Sequence, residues 1–457
     1  MRKHPRQSRA LLLVIPLITT LMIHPLMMVG QSLDPPLVLA EKTPQSNAMF
    51  GRALAIGDFN ARGSLDLAVS NTEGRVTLFY GETTFDSTPD LTIMGKPEIG
   101  FGATLAAGDF NGDGRTDLIV AAPDGDVDEE SGTVRADGQV FVYWGGPNFN
   151  SRADVTISHP PVDEFIPIAF FGESLAVADV NGDRIDDLIV GIPGEDQVQI
   201  FFGGRSFGRR IDFTLSGPEL LSFFGSPVAA ADVNADGKTD LIVAASVANN
   251  TLGAVYIYLG SASGLFNRTP VILSNPDPTG ENQGFGGPLA TIDLDQDGAL
   301  DIVVGAPQAN VSNLPEAGRI YVLFGPFPSS RPPLIIQNPQ PQSNARFGSA
   351  FALADLTSDG IVDLVASESD SMVSNQEKAG RVLILTGLLS AQGFSFGQTP
   401  MILLPPTPQN NGLFGAQLAI ADINKDSLPD LIISAPGMTI RANIGAGQVY
   451  IFRQKTS

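Results

Sequence analysis

Phe-Gly opens a repeating unit seven times in the chain, at Phe50, Phe101, Phe171, Phe224, Phe285, Phe347 and Phe414, with 51 to 70 residues between these copies. After each copy come a short apolar stretch, a nine-residue acidic loop such as "DFNGDGRTD" (Asp109 to Asp117), an apolar run such as "DLIVGIP" and a strand-like segment such as "GRIYVLFG". A further segment of the type "DVTISHP" leads into the next Phe-Gly. Self-similarity at this period signals a repeat architecture. Each unit reads as four short strands, here called A to D. Tandem four-stranded units are the mark of a β-propeller, so the expected fold is all-β, with seven four-stranded blades in one ring. The abundant glycine (49) and proline (34) suit many short strands joined by turns.

The chain ends predict how the ring closes. The last unit stops at "GAGQVYIFRQKTS", a strand C with no strand D after it. The missing strand is found at the other end. "PPLVLAEKTPQSNAMFG" (Pro35 to Gly51) matches "PPLIIQNPQPQSNARFG" (Pro332 to Gly348), which is a strand D and its linker, with identical spacing. Residues 37–39 are therefore expected to complete the last blade, burying two sheet edges that would otherwise be open to aggregation.

Residues 1–32 read as a targeting segment, and 33–457 as the propeller. "MRKHPRQSR" is a basic n-region, followed by the apolar "ALLLVIPLITTLMIHPLMMV" and then "GQS". Cleavage is expected after Gly30 or Ser32. An uncleaved membrane anchor is the competing reading, because about 20 apolar residues is long for a signal peptide. The expected location is secreted or at the cell surface, and the expected state is a monomer. Without the leader, 23 basic residues face 49 acidic ones, a net charge of −26. That field disfavours nucleic acid and favours multivalent cations.

There is no cysteine, which excludes disulfides, zinc-thiolate sites and thiol nucleophiles. Outside the leader the single histidine is His159, in "TISHPP", and it reads as an ordinary loop residue. Trp144, the sole tryptophan, reads as packing between blades.

The acidic loop, D-x-[DN]-x-D-G-x-x-D, supplies side-chain oxygens at positions 1, 3, 5 and 9, and position 7 can add a carbonyl. Calcium takes six to eight hard oxygens, and a tight turn can converge them from one short segment. An EF-hand would place its last acid at position 12 and run on into a helix. Here the acid comes at position 9 and a strand follows. The second loop (Asp109, Asn111, Asp113, Asp117) is expected to fit fully, as are the third (Asp179, Asn181, Asp183, Asp187) and the fourth (Asp232, Asn234, Asp236, Asp240). The fifth is all acid (Asp293, Asp295, Asp297, Asp301) and is expected to bind tightest unless mutual repulsion distorts it. The seventh (Asp422, Asn424, Asp426, Asp430) fits with Ser427 at the turn glycine. The sixth (Asp355, Thr357, Asp359, Asp363) is expected to be weaker. The first has Arg62 at position 5 between Asp58, Asn60 and Asp66, where a guanidinium is expected to replace the metal. One such loop is as readily a simple Asp/Asn/Gly turn. Five full copies at one place in a repeat favour calcium.

Phe-Gly, an aspartate loop and then Gly305-Ala306-Pro307 (relaxed elsewhere, as in Gly191-Ile192-Pro193) resemble the FG-GAP repeat. That repeat builds the seven-bladed propeller of integrin α subunits, and the resemblance covers about residues 35–457. It implies calcium in the A–B loops on one face of the ring, with ligands meeting the opposite face. No segment resembles an integrin's leg domains, transmembrane helix or inserted ligand-binding domain.

The calcium is expected to be structural. At about 2 mM calcium and a Kd of ~0.1 mM, one site stabilises the fold by about 1.8 kcal/mol. Five sites would contribute on the order of 9 kcal/mol, comparable to a domain's whole stability.

Recognition is expected on the face of the B–C and D–A connections. The long B–C segments "PDGDVDEESGTVRADG" (with Asp124, Asp126, Asp128, Glu129 and Glu130), "PQANVSNLPEAG" and "SESDSMVSNQEKAG" lie there. The expected function is an exported, non-catalytic binding or adhesion module for extracellular protein or glycan ligands. A calcium-dependent polysaccharide lyase or hydrolase, or a surface-layer part, is the alternative, since fold alone does not decide. Sequons at Asn267 and Asn310 matter only in a eukaryotic secretory pathway.

Overall fold

The computed structural model describes residues 27–28, 31–81, 85–127, 134–136, 138–159, 169–248, 252–261, 266–277 and 284–456. Seven antiparallel four-stranded sheets form the blades of a β-propeller. Blade three is representative, with strand A at Ser174–Ala178, B at Asp187–Ile192, C at Gln197–Phe201 and D at Phe213–Ser216, paired in that order. Sequence pattern and position agree within each blade. Strand B is buried along its whole length in all seven blades, because neighbouring blades cover both of its faces, and after its leading aspartate it is a largely apolar run. Strand D lies at the perimeter and alternates buried with exposed residues, as in Leu91–Met94 and Val155–Ser158.

Phe-Gly holds blade to blade. All seven phenylalanines are buried. Several meet an aromatic of their own strand C edge to face, as in Phe171–Phe201, Phe285–Tyr321 and Phe414–Tyr450. The glycine has a different task. Gly102 has φ +85°, and a Cβ there would lie 2.9 Å from Ser70 Cβ of the preceding blade. Gly415 repeats the arrangement, with φ +94° and Ser367 Cβ at 2.9 Å. Only glycine meets both demands, a left-handed backbone and a close approach.

The ring closes as the chain ends predict. Leu37–Leu39 pairs antiparallel with Gln448–Phe452, with Leu37 opposite Ile451 and Leu39 opposite Val449. A second closure was not expected: Gln31–Leu33 pairs with Gln454–Thr456 and with Met27–Met28. A cut after Ser32 would divide that strand; Gly30 and residues 1–26 lie outside the described residues. Among the described residues, no helix is long and apolar enough to cross a membrane. A second addition is the hairpin of Gly387–Ser390 and Gly393–Phe396 in the C–D connection of blade six, which buries Phe394 and Phe396 against the core.

His159 differs from its expectation as an ordinary loop residue. It follows strand D of blade two, but its side chain is buried, 5.4 Å from the Phe171 ring and with Nε2 3.8 Å from Glu195 Oε2. Trp144 packs as expected, edge to face with Phe207 of blade three at 6.0 Å.

Candidate metal centre

Every acidic loop begins eight residues after its phenylalanine and joins strand A to strand B. Strand direction alternates within a blade, so all seven A–B loops lie on one face of the ring with the C–D connections. The B–C and D–A connections lie on the other.

The position-9 aspartate is the first residue of strand B in every blade, and it is fully buried. Its Oδ1 accepts a backbone N–H from the residue just beyond strand C. That donor is Gly145 for Asp117, Gly260 for Asp240, Gly325 for Asp301 and Gly387 for Asp363, at 2.7 to 2.9 Å. Its Oδ2 accepts the N–H of position 2, from Phe110, Val180, Val233, Leu294, Leu356 and Ile423 in loops two to seven. One carboxylate thus ties the end of strand A, the start of strand B and the exit of strand C. Asp187 and Asp430 do the same in their blades, and Asp66 does so in the first. Burial is the leading cause of a raised pKa at these groups, about 7 at Asp117 and about 6 at Asp66, Asp187, Asp301 and Asp430. Nearby loop aspartates raise them further, and the backbone N–H groups oppose the shift.

Position 1 shapes the turn. Its Oδ1 accepts the N–H of position 5 and its Oδ2 that of position 6, as at Asp109, Asp179, Asp232, Asp293, Asp355 and Asp422. Position 5 in turn accepts the N–H of position 7, from Asp113, Asp183, Asp236, Asp297, Asp359 and Asp426. The first loop keeps the turn despite Arg62, whose N–H donates to Asp58 Oδ1 and Asn60 Oδ1 at 2.9 and 3.0 Å. The loops are therefore preorganised by their own amides, of which Asp109 Oδ1 and Asp179 Oδ1 each accept two.

The third loop departs from the pattern it was expected to match fully. Arg184 occupies the turn position with φ 71°, as Ser427 does in the seventh with φ 67°. A Cβ meets no atom within 4 Å at Gly114, Gly237, Gly298 or Gly360, so a side chain at this position bears only the cost of a left-handed backbone.

Position 3 separates the loops. Asn181, Asn234 and Asn424 each accept the N–H of position 5 at 2.9 Å, while Asn111 lies with its Nδ2 3.5 Å from both oxygens of Asp117. Asp295 Oδ1 and Thr357 Oγ1 are buried without a hydrogen-bond partner. Asp293, Asp295 and Asp297 each bring a ligand oxygen within 4.8 Å of the other two. A buried orphan oxygen in a convergent carboxylate triad fits a hard cation.

Arg331, from the C–D connection of blade five, lies against the same triad. Its Nη2 is 2.5 Å from Asp295 Oδ2, its Nη1 is 3.2 Å from Asp297 Oδ2, and its guanidinium stacks 4.4 Å above the Phe324 ring. In the second and fourth loops a basic residue pairs with position 5 alone, Arg115 with Asp113 and Lys238 with Asp236.

On the opposite face, the B–C turns of blades five to seven repeat one shape, each closed by a bridge: Val311 with Leu314, Val373 with Gln376 and Ile440 with Asn443. Each turn takes backbone hydrogen bonds from the D–A segment that follows it, as from Phe347 to Ala317 and from Phe414 to Ala379. In blade three, the buried Asp196 accepts the N–H groups of Leu221, Ser222 and Phe224. That clasp holds the D–A loop with Leu220, Leu221 and Phe223 exposed. Of the acidic B–C loop of blade two, residues 128–133 lie outside the described residues.

The FG-GAP repeat model matches residues 101–143, 171–209 and 414–452, and the FG-GAP-like repeat model matches 58–120 and 232–304. Human integrin alpha-IIb is 35% identical over 159 residues, 31% of this chain and 15% of its own. Chicken integrin alpha-V is 30% identical over 273 residues, 55% of this chain and 24% of its own. Human phosphatidylinositol-glycan-specific phospholipase D is 25% identical, over 88% of this chain and 54% of its own. The chain thus matches at most about half the length of these relatives. A chain in the crystal structure of BBS1N in complex with ARL6DN, soaked with lead, superposes with a TM-score of 0.53 at 10% identity, over 92% of this chain and 96% of its own, and shares the fold. Seven Phe-Gly blades, their A–B aspartate loops and these matches have one common account: the chain is an FG-GAP repeat protein with an integrin-α-like β-propeller.

Proposed function

We propose that this protein is an exported, calcium-braced binding module that engages a protein ligand on the face opposite the acidic loops. The observation that carries this reading is the D–A loop of blade three. Leu220 and Leu221 are 88% and 82% exposed there, and Phe223 is 46% exposed. Three neighbouring apolar side chains are costly to leave in water, and Asp196 fixes the backbone that presents them. Met372 and Ile444, in the B–C turns of blades six and seven, add exposed apolar side chains to the same face. Apolar tips on a rigid frame suit a protein partner better than a glycan. Calcium in the A–B loops would brace the ring from the other side, and the basic n-region with its apolar stretch supports export.

The test is binding of the purified protein to a matrix-protein and glycan array in about 2 mM calcium, and again after EDTA. Selective protein binding that Leu220→Asp with Leu221→Asp reduces at least about tenfold supports the reading. A folded protein silent on every spot overturns it. The phospholipase D relative, matched over 88% of this chain, supports a second reading, membership in a hydrolytic protein. Hydrolysis of a phosphatidylinositol-glycan, or of a polysaccharide, by the purified chain would replace the non-catalytic reading.

A further inference from the structure

We propose that Arg331 is a tethered counter-ion that sets the cation affinity of the fifth loop. The proposal rests on the calcium reading above and concerns one of its sites. Three observations carry it. The Asp295 side chain is 8% exposed, and its Oδ1 has no hydrogen-bond partner although its Oδ2 is paired. The Arg331 fork takes one oxygen from each of two carboxylates, Oδ2 of Asp295 and Oδ2 of Asp297, with Phe324 beneath it. Asp293 spends both of its oxygens on the N–H groups of Asp297 and Gly298, and Asp301 spends both of its own on Leu294 and Gly325.

The fork therefore divides the triad. The Oδ2 side of Asp295 and Asp297 belongs to the guanidinium, and Asp295 Oδ1 is left for a cation. Four aspartates in one nine-residue loop repel each other when no metal is bound. A planar, permanently charged group that reaches two of them at once offsets that repulsion. The same positive charge would weaken the binding of a cation at Asp295 Oδ1. The all-acid loop is thus held together without metal and tuned to a lower affinity than its carboxylate count implies. In the fourth loop, Asn234 removes the need, since its Oδ1 accepts the Asp236 N–H and adds no charge.

The experiment is calorimetric calcium titration and thermal melting of the full chain as wild type, Arg331→Gln, Asp295→Asn and the double variant. Arg331→Gln is expected to lower the melting temperature in EDTA and to tighten one site on the order of tenfold. That tightening should vanish when Asp295→Asn is added. Arg331→Lys keeps the charge but loses the fork, and should stay within about threefold of wild-type affinity. It serves as the readout if the glutamine variant does not fold. Calcium binding by Arg331→Gln that is unchanged or weaker than wild type, or Arg331→Lys tighter than wild type beyond that range, overturns the counter-ion role and leaves the calcium reading intact. Absence of any calcium response in the wild type overturns both.

Discussion

The fourth and fifth acidic loops sit in adjacent blades with the same backbone turn, and they differ in how position 3 is satisfied. Asn234 accepts an amide hydrogen from within its own loop. Asp295 depends on an arginine 36 residues away for one oxygen and leaves the other bare. The fourth loop is thus satisfied at position 3 without an ion, whereas the fifth is not. Carboxylate count alone therefore misjudges a site; where each oxygen's hydrogen bonds come from matters as much.

The largest expected effect tests what the two loops share, the buried aspartate at position 9. Its folded pKa is raised at Asp301 to about 6, and also raised at Asp240. A raised carboxyl pKa means the folded chain holds the proton more tightly than the unfolded one. The stability it contributes is complete below the unfolded pKa near 4 and is lost as pH rises through the folded value. In EDTA, the urea midpoint should fall between about pH 4 and pH 7, and calcium should reverse the fall. A midpoint that rises over that range would show that these groups fold as stabilised carboxylates.

Next in size is removal of the clamp itself. Asp240→Ala and Asp301→Ala each leave two buried N–H groups without an acceptor and should cost about 2–4 kcal/mol in denaturant melts without metal. Equal losses in the two loops would confirm a common structural role. A near-neutral Asp240→Ala would confine the clamp to blade five. The smallest effect probes the difference directly. Asn234→Asp makes the fourth loop all acid with no equivalent of Arg331, and should lose about 1 kcal/mol in EDTA while binding calcium more tightly. Unchanged metal-free stability would mean that the fifth loop has no need of its arginine.

Most of the architecture was legible because it is written in local repeats. Phe-Gly, the loop and strand B lie within about 20 residues of one another, and the matching segments at Pro35 and Pro332 identified the closing strand. The ligand-type residues were legible for the same reason. Arg331 was not, because it meets Asp295 only after strands B and C have folded back between them. His159 was misjudged because its burial depends on Phe171, across a connection of variable length. The position-9 aspartates read only as ligands, since their grip on the exit of strand C lies 15 to 28 residues downstream. Arg184 at the turn of the third loop breaks the glycine pattern in plain view of the sequence, and the open space around that position explains why the fold accepts it.

Closing the ring with both chain ends has a mechanical consequence. Gln31 lies opposite Thr456 and Leu37 opposite Ile451, so the two closing pairs follow one another along the last blade, with Gln31 and Thr456 outermost. A pull applied at Gln31 and Thr456 would peel these pairs apart one after another, as a zipper opens, instead of loading them all at once. Tension that enters through one end and leaves through a ligand on the far face would cross the ring itself, and the blades would share it.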